Sequence, residues 1–138
     1  GGSTLGVTTD EFPGAVKNEF IDKEMRTRTW FERLHKLIQL GNGFVVLDGG
    51  TGTLTELVAA WEMANKGFHR KPIALIGKRI KAAVNALKRN PEVMIPKNLY
   101  FAKSPKAAVQ YLKENVVRGN ALSFPRKRES RFPGQAGE

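Results

Sequence analysis

The sequence predicts an α/β protein of the doubly wound class, in which a parallel sheet carries helices on both faces. Short apolar runs such as Phe44-Val45-Val46-Leu47 and the stretch from Pro72 to Gly77 alternate with longer segments of helical periodicity. The run ending at Leu47 passes into Asp48-Gly49-Gly50-Thr51-Gly52-Thr53-Leu54-Thr55-Glu56 and then into a helical pattern, so a strand, a glycine loop and a helix follow one another. In this class ligands sit beyond the carboxyl ends of the strands, where that loop falls.

Taken in order, Gly1 to Thr9 reads as a glycine turn and a short strand, followed by a loop from Asp10 to Gly14. From about Asp22 to Leu40, Met25, Trp30, Phe31, Leu34, Leu37, Ile38 and Leu40 recur at three- and four-residue intervals, a helical stripe that Gly41 stops. A strand is expected at 43–48. A second helix is expected from Thr53 to about Lys66, ended by Gly67. It is apolar on more than one side (Leu54, Leu57, Val58, Ala59, Ala60, Trp61, Met63, Ala64), which predicts burial on two faces, under the core or under a second chain. Pro72 to Gly77 predicts a buried strand, Lys78 to Arg89 a helix before the Asn90-Pro91 break, and Leu99 to Ala102 a last short strand. Ser104 and Pro105 supply an N-cap and a proline at the first helical position for a helix to about Val116.

After Val117 the periodicity stops. The segment 119–138, with Pro125, Pro133, three glycines and Arg126-Lys127-Arg128, offers little to bury and is expected to be a disordered basic tail behind one domain at 1–118. Its string SFPRKRESRFPG resembles translated bacterial intergenic repeat sequence. The alternative is a nucleic-acid-binding arm.

Composition narrows the function classes. The 138 residues are 41% hydrophobic, enough for one domain with a modest core. With no cysteine and two histidines, neither a disulfide framework nor a metal site is expected. No apolar run is long enough to span a bilayer, so a cytoplasmic protein without membrane contact is expected. The net charge of +10, from 23 Lys and Arg against 13 Asp and Glu, favours polyanions at long range. Because the cations are scattered over expected helix faces, they read as solvated surface, and nucleic acid is not the expected partner.

The glycine loop carries the chemistry. Without side chains at Gly49, Gly50 and Gly52 the backbone can approach a phosphate closely, and the amides at a helix N-terminus favour an anion. The Thr51 and Thr53 hydroxyls add donors. A plain structural reading stands beside this one. The glycines can serve a tight strand-to-helix turn, and Thr53 with Glu56 forms the pattern of a capping box. Asp48 reads either as a helix-flanking anion or as a repeller of phosphate.

From Arg33 to Pro72 the sequence resembles the LOG family, cytokinin-activating phosphoribohydrolases and their bacterial relatives, often labelled lysine decarboxylase-like. The family pattern PGGxGTxxE is matched by Asp48 to Glu56, with aspartate in place of the leading proline. Arg33 matches the arginine of an arginine-lysine pair on the preceding helix, with Leu34 in place of the lysine. Gly1 to Val7 resembles a strand from the middle of that fold, so the chain is expected to be N-terminally truncated and to lack the family's other glycine-rich loop, exposing a sheet edge or forcing pairing with another chain.

The resemblance implies a Rossmann-like, nucleotide-binding domain that hydrolyses the N-glycosidic bond of nucleoside 5'-monophosphates to free base and ribose 5-phosphate. Glu56 would stabilise the oxocarbenium-like state or polarise water, and Arg33 would hold the phosphate or orient Glu56. Gly49, Gly50, Thr51, Gly52 and Thr53 would bind the phosphate. It implies no cofactor, and a homodimer with a nucleoside monophosphate or similar phosphorylated small molecule as partner. Arg33 can equally be a surface arginine, and Arg26 and Arg28 are weaker phosphate candidates. His35-Lys36 resembles the dipeptide of a pyridoxal lysine, but it falls mid-helix in a small chain, and decarboxylation is not expected. The alternatives are a non-catalytic nucleotide or cofactor carrier, resembling molybdenum-cofactor carriers, and an inactive remnant.

Overall fold

The computed structural model describes residues 2–14 and 18–116; the tail expected from residue 119 lies outside them. Among the described residues the elements run β1 (Leu5–Thr9), β2 (Lys23–Thr27), α1 (Trp30–Leu40), β3 (Phe44–Leu47), α2 (Thr51–Asn65), β4 (Ile73–Ile76), α3 (Lys78–Leu87), β5 (Leu99–Phe101) and α4 (Pro105–Asn115). All pairings are parallel, in one ladder of β1 with β2 and a second in the order β3-β4-β5. The fold is α/β and Rossmann-like, as the alternating pattern predicts.

Helices cover both faces of the β3-β4-β5 sheet. On one face Ile73 and Leu75 of β4 meet Leu57, Ala60 and Trp61 of α2 and Ile80 and Val84 of α3, with Ile38 of α1 joining the same cluster. On the other, α4 lies against β4 and β5, with Ala108 fully buried and the Tyr111 ring stacked on Tyr100 at 4.5 Å. The α4 start behaves as its sequence predicts, since the Ser104 side chain accepts from the Ala107 amide at 3.1 Å ahead of Pro105.

The first helix differs from expectation. Residues 23–27 form β2, and α1 begins only at Trp30, where the Thr29 side chain caps the Glu32 amide at 3.1 Å. Met25 and Thr27 turn inward with a period of two, and the Thr27 hydroxyl donates to the Thr8 carbonyl of β1 at 2.8 Å. The apolar Met25, five residues ahead of Trp30, reads as an extension of the helical stripe, which masks that change of period. Within α1 only Ile38 is fully buried, and Phe31 is 73% exposed. Within the described chain, helix α2 is buried on one face only. Leu57, Ala60 and Trp61 are covered, whereas Val58 lies 44% exposed in a groove with Leu54, Ala59 and Glu62.

The buried Lys71 ties α1 to the sheet. The Lys71 ammonium donates to the Ile38 carbonyl at 2.7 Å and the Gln39 carbonyl at 3.1 Å, satisfying acceptors that the end of α1 leaves open. Next to it, His69 contacts the Ala60 carbonyl through Nε2 at 2.9 Å and accepts from the Lys71 amide at Nδ1 over 3.2 Å. The carbonyl contact assigns the proton to Nε2. Burial, reinforced by the Lys71 charge, lowers the His69 pKa from its ordinary 6.5. The unfolded chain therefore binds the proton first, so stability is full above about pH 6.5 and falls as pH drops from there toward the folded value. Urea unfolding at about pH 7.5 and 5.5 should show this loss, and His69→Gln should flatten it.

Candidate functional site

The site grows from the end of β3. The chain leaves Leu47, and Gly50, with φ −91° and ψ −156°, sits at the N-cap of α2 without offering a side-chain cap. The first helical bond runs from the Leu54 amide to the Gly50 carbonyl at 3.1 Å, which leaves the amides of Thr51, Gly52 and Thr53 without intrahelical acceptors. The helix thus starts two residues before the expected Thr53. Thr53 is not an N-cap, and the capping-box reading of Thr53 and Glu56 fails.

The glycines differ in why they are glycine. A Cβ on Gly49 would stand 2.1 Å from the Thr53 hydroxyl, so packing within the loop excludes one. A Cβ on Gly50 or Gly52 would meet nothing within 4 Å, and none of the three has the positive φ that a strained turn requires. Neither sterics nor backbone conformation explains Gly50 and Gly52. Both border open space beside the free amides.

Arg33 and Glu56 come together across this space. From the first turns of α1, Arg33 donates through Nη1 to Glu56 Oε1 at 2.8 Å and through Nε to the Val7 carbonyl of β1 at 2.9 Å. Both side chains are about one-third exposed, so the pair is wetted and geometrically fixed at once. Glu56 and Thr53 also line a cavity of about 340 Å³ between α1, β3 and α2, whose wall is otherwise mostly apolar, with Leu34, Ile38, Val46 and Leu57 among its residues. Arg26 and Arg28 are engaged elsewhere, with Asp10 and Glu32. Among the described residues no group of three His, Cys, Asp or Glu side chains is placed to hold a metal.

Asp48 has a role that its neighbours in sequence do not reveal. Its Oδ1 accepts from the Ile80 amide at 2.8 Å, capping α3 from the end of the adjacent strand. The N-cap position of α3 is Gly77, which has no side chain to do this and whose φ of +128° and contact with Asp48 both demand glycine. Arg79 Nε stands 3.7 Å from the other oxygen. An uncapped helix after Gly77 was the signal available in the sequence.

The profile of the protein family described as possible lysine decarboxylase matches residues 1–111. The chain belongs to this family, the LOG family. A cytokinin riboside 5'-monophosphate phosphoribohydrolase of Mycobacterium tuberculosis is 36% identical over 80 residues, 55% of this chain and 41% of the relative. A probable enzyme of the same name from Oryza sativa subsp. japonica is 32% identical over 77 residues, 55% of this chain and 34% of the relative. One from Arabidopsis thaliana is 31% identical over 64 residues, 46% of this chain and 30% of the relative. The matched stretch thus spans about two fifths or less of these relatives.

The two kinds of glycine in this LOG-family loop separate under substitution. Gly49→Ala should lower the unfolding free energy by about 1–3 kcal/mol through the clash with Thr53. Gly52→Ala, inside the first turn and with open space for its Cβ, should raise it by up to about 1 kcal/mol. Thermal melts measure both effects.

Proposed function

We propose that this LOG-family chain binds a nucleoside 5'-monophosphate with its phosphate at the N-terminus of α2 and hydrolyses the N-glycosidic bond, giving free base and ribose 5-phosphate. The observation that carries the reading is the Arg33–Glu56 pair set beside two glycines that open onto space, together with the activity named for the relatives. The phosphate would take the amides of Thr51, Gly52 and Thr53, with the exposed Thr51 hydroxyl as a further donor. Arg33 engages Glu56 Oε1, which leaves Oε2 to face the sugar.

In the reaction the bond between C1' and the base nitrogen breaks as its electron pair leaves with the base, and positive charge spreads over C1' and the ring oxygen. The Glu56 carboxylate stabilises that cation and accepts a proton from the water whose oxygen bonds to C1'. The departing nitrogen takes up a proton from solvent and Glu56 returns the one it accepted, so the reaction adds one water overall. No electrons are exchanged, so no redox partner enters the balance. Arg33 acts as a positioning residue, holding the carboxylate at a fixed height over α2 through its second bond to β1.

Purified protein should release ribose 5-phosphate from AMP, and Glu56→Gln should reduce kcat by about a hundredfold or more. Unchanged turnover in that variant rejects the role of Glu56. Thermal stabilisation by AMP without any release would leave a nucleotide binder in place of an enzyme.

We further propose that a second copy covers the outer face of α2, where Val58 is open in the groove between Leu54 and Glu62 and where Leu87 and Met94 are also exposed. Sedimentation at micromolar concentration should show a dimer that Val58→Glu converts to monomer. A wild-type monomer contradicts this assembly.

A further inference from the structure

Two carboxylates, Asp48 and Glu56, line the cavity beside the glycine loop, and each faces its own arginine. Glu56 is held by Arg33 at 2.8 Å, and a second bond from Arg33 to the Val7 carbonyl fixes that guanidinium in place. Asp48 is held differently. Its Oδ1 accepts from the Ile80 amide at 2.8 Å, so main chain sets its position, while Arg79 Nε stands 3.7 Å from Oδ2, beyond direct hydrogen-bond length. The Arg79 side chain is 85% exposed, against 27% for Arg33. One guanidinium is locked and the other is loose.

The loose arginine stands beside the loop. Gly50, the N-cap of α2, follows Asp48 by two residues, so their Cα atoms lie within about 7 Å of each other, a span that an arginine side chain covers. Left without a cation, Asp48 would set a negative charge beside an incoming phosphate and oppose it. The stability of α3 does not account for Arg79. The first turn of that helix carries no acidic residue, and a cation there opposes the helix macrodipole. An ion pair as exposed as this one adds little to stability.

We propose that Arg79 is a phosphate-binding residue of the glycine site, its Nε kept toward Asp48 while its two Nη groups bind oxygens of the nucleotide 5'-phosphate. The contact with Asp48 is made through Nε, which leaves the outer edge of the guanidinium for a second, bidentate partner. Asp48 is thereby neutralised where an anion comes beside it. The inference deepens the reading proposed above and rests on its placement of the phosphate at α2. Arg79 would hold the end of the nucleotide remote from the bond that breaks, so its contribution falls on binding and not on the chemical step.

The test measures release of ribose 5-phosphate from AMP, together with AMP and adenosine binding by calorimetry, on the full chain. Arg79→Ala should raise the KM and Kd for AMP about tenfold, keep kcat within about twofold and leave adenosine binding unchanged. Arg79→Lys should recover part of the loss. The melting temperature of Arg79→Ala without ligand should hold or rise, because alanine favours the helix and the dipole opposes the arginine. Asp48→Asn added to Arg79→Ala keeps an acceptor for the Ile80 amide and removes the repelling charge, so it too should restore part of the affinity. Lys78→Ala removes a likewise exposed neighbouring charge and should shift the KM by less than about twofold. The proposal is overturned by unchanged AMP affinity in Arg79→Ala, by an equal loss in Lys78→Ala, or by a loss of affinity matched by a loss of stability. Equal binding and turnover of AMP by wild type and Arg79→Ala would leave the proposed activity standing without Arg79, whereas a wild-type chain that binds no AMP removes both.

Discussion

Arg33 links the two ladders of the molecule at the candidate site. It stands on α1, which packs on β1 and β2, yet its guanidinium reaches Glu56 on α2 of the other ladder. The same group takes the Val7 carbonyl, a main-chain acceptor that a neighbouring strand would otherwise occupy. A planar donor fork holds both acceptors in one fixed geometry, which the point charge of a lysine ammonium on a flexible stem does not impose. The position of the candidate acid is therefore set by a strand edge as much as by its own helix.

A second constraint fixes the floor of the site. Asp48 follows β3 and caps α3, Gly77 is glycine because Asp48 fills the space of its side chain, and Gly49 is glycine because Thr53 fills the space of its own. These contacts lock the loop from below and from the side. Gly50 and Gly52 take no part in that lock and open outward. The loop thus combines a rigid base with an unfilled rim.

The charge of the chain is arranged locally. Arg26 and Arg28 lie in exposed pairs with acids, where such contacts contribute little to stability. Lys71 is buried and serves the end of α1, and burial lowers its pKa. Positive charge near the site comes from Arg33, from Arg79 beside Asp48 and from a helix N-terminus, so the overall excess of cations says little about the site.

The sequence by itself determined the α/β alternation, the cap at Ser104 and the glycine loop, because each depends on neighbours within about one turn or one strand. Only tertiary structure decided that 23–27 is a strand, since Thr27 gains its partner from Thr8, remote in sequence. It likewise decided that Glu56 pairs with Arg33 rather than capping its own helix, and that Asp48 serves α3. Each of those outcomes turns on a hydrogen-bond partner brought from another element. Local pattern can show that a polar group needs a partner, but the partner is supplied by the fold.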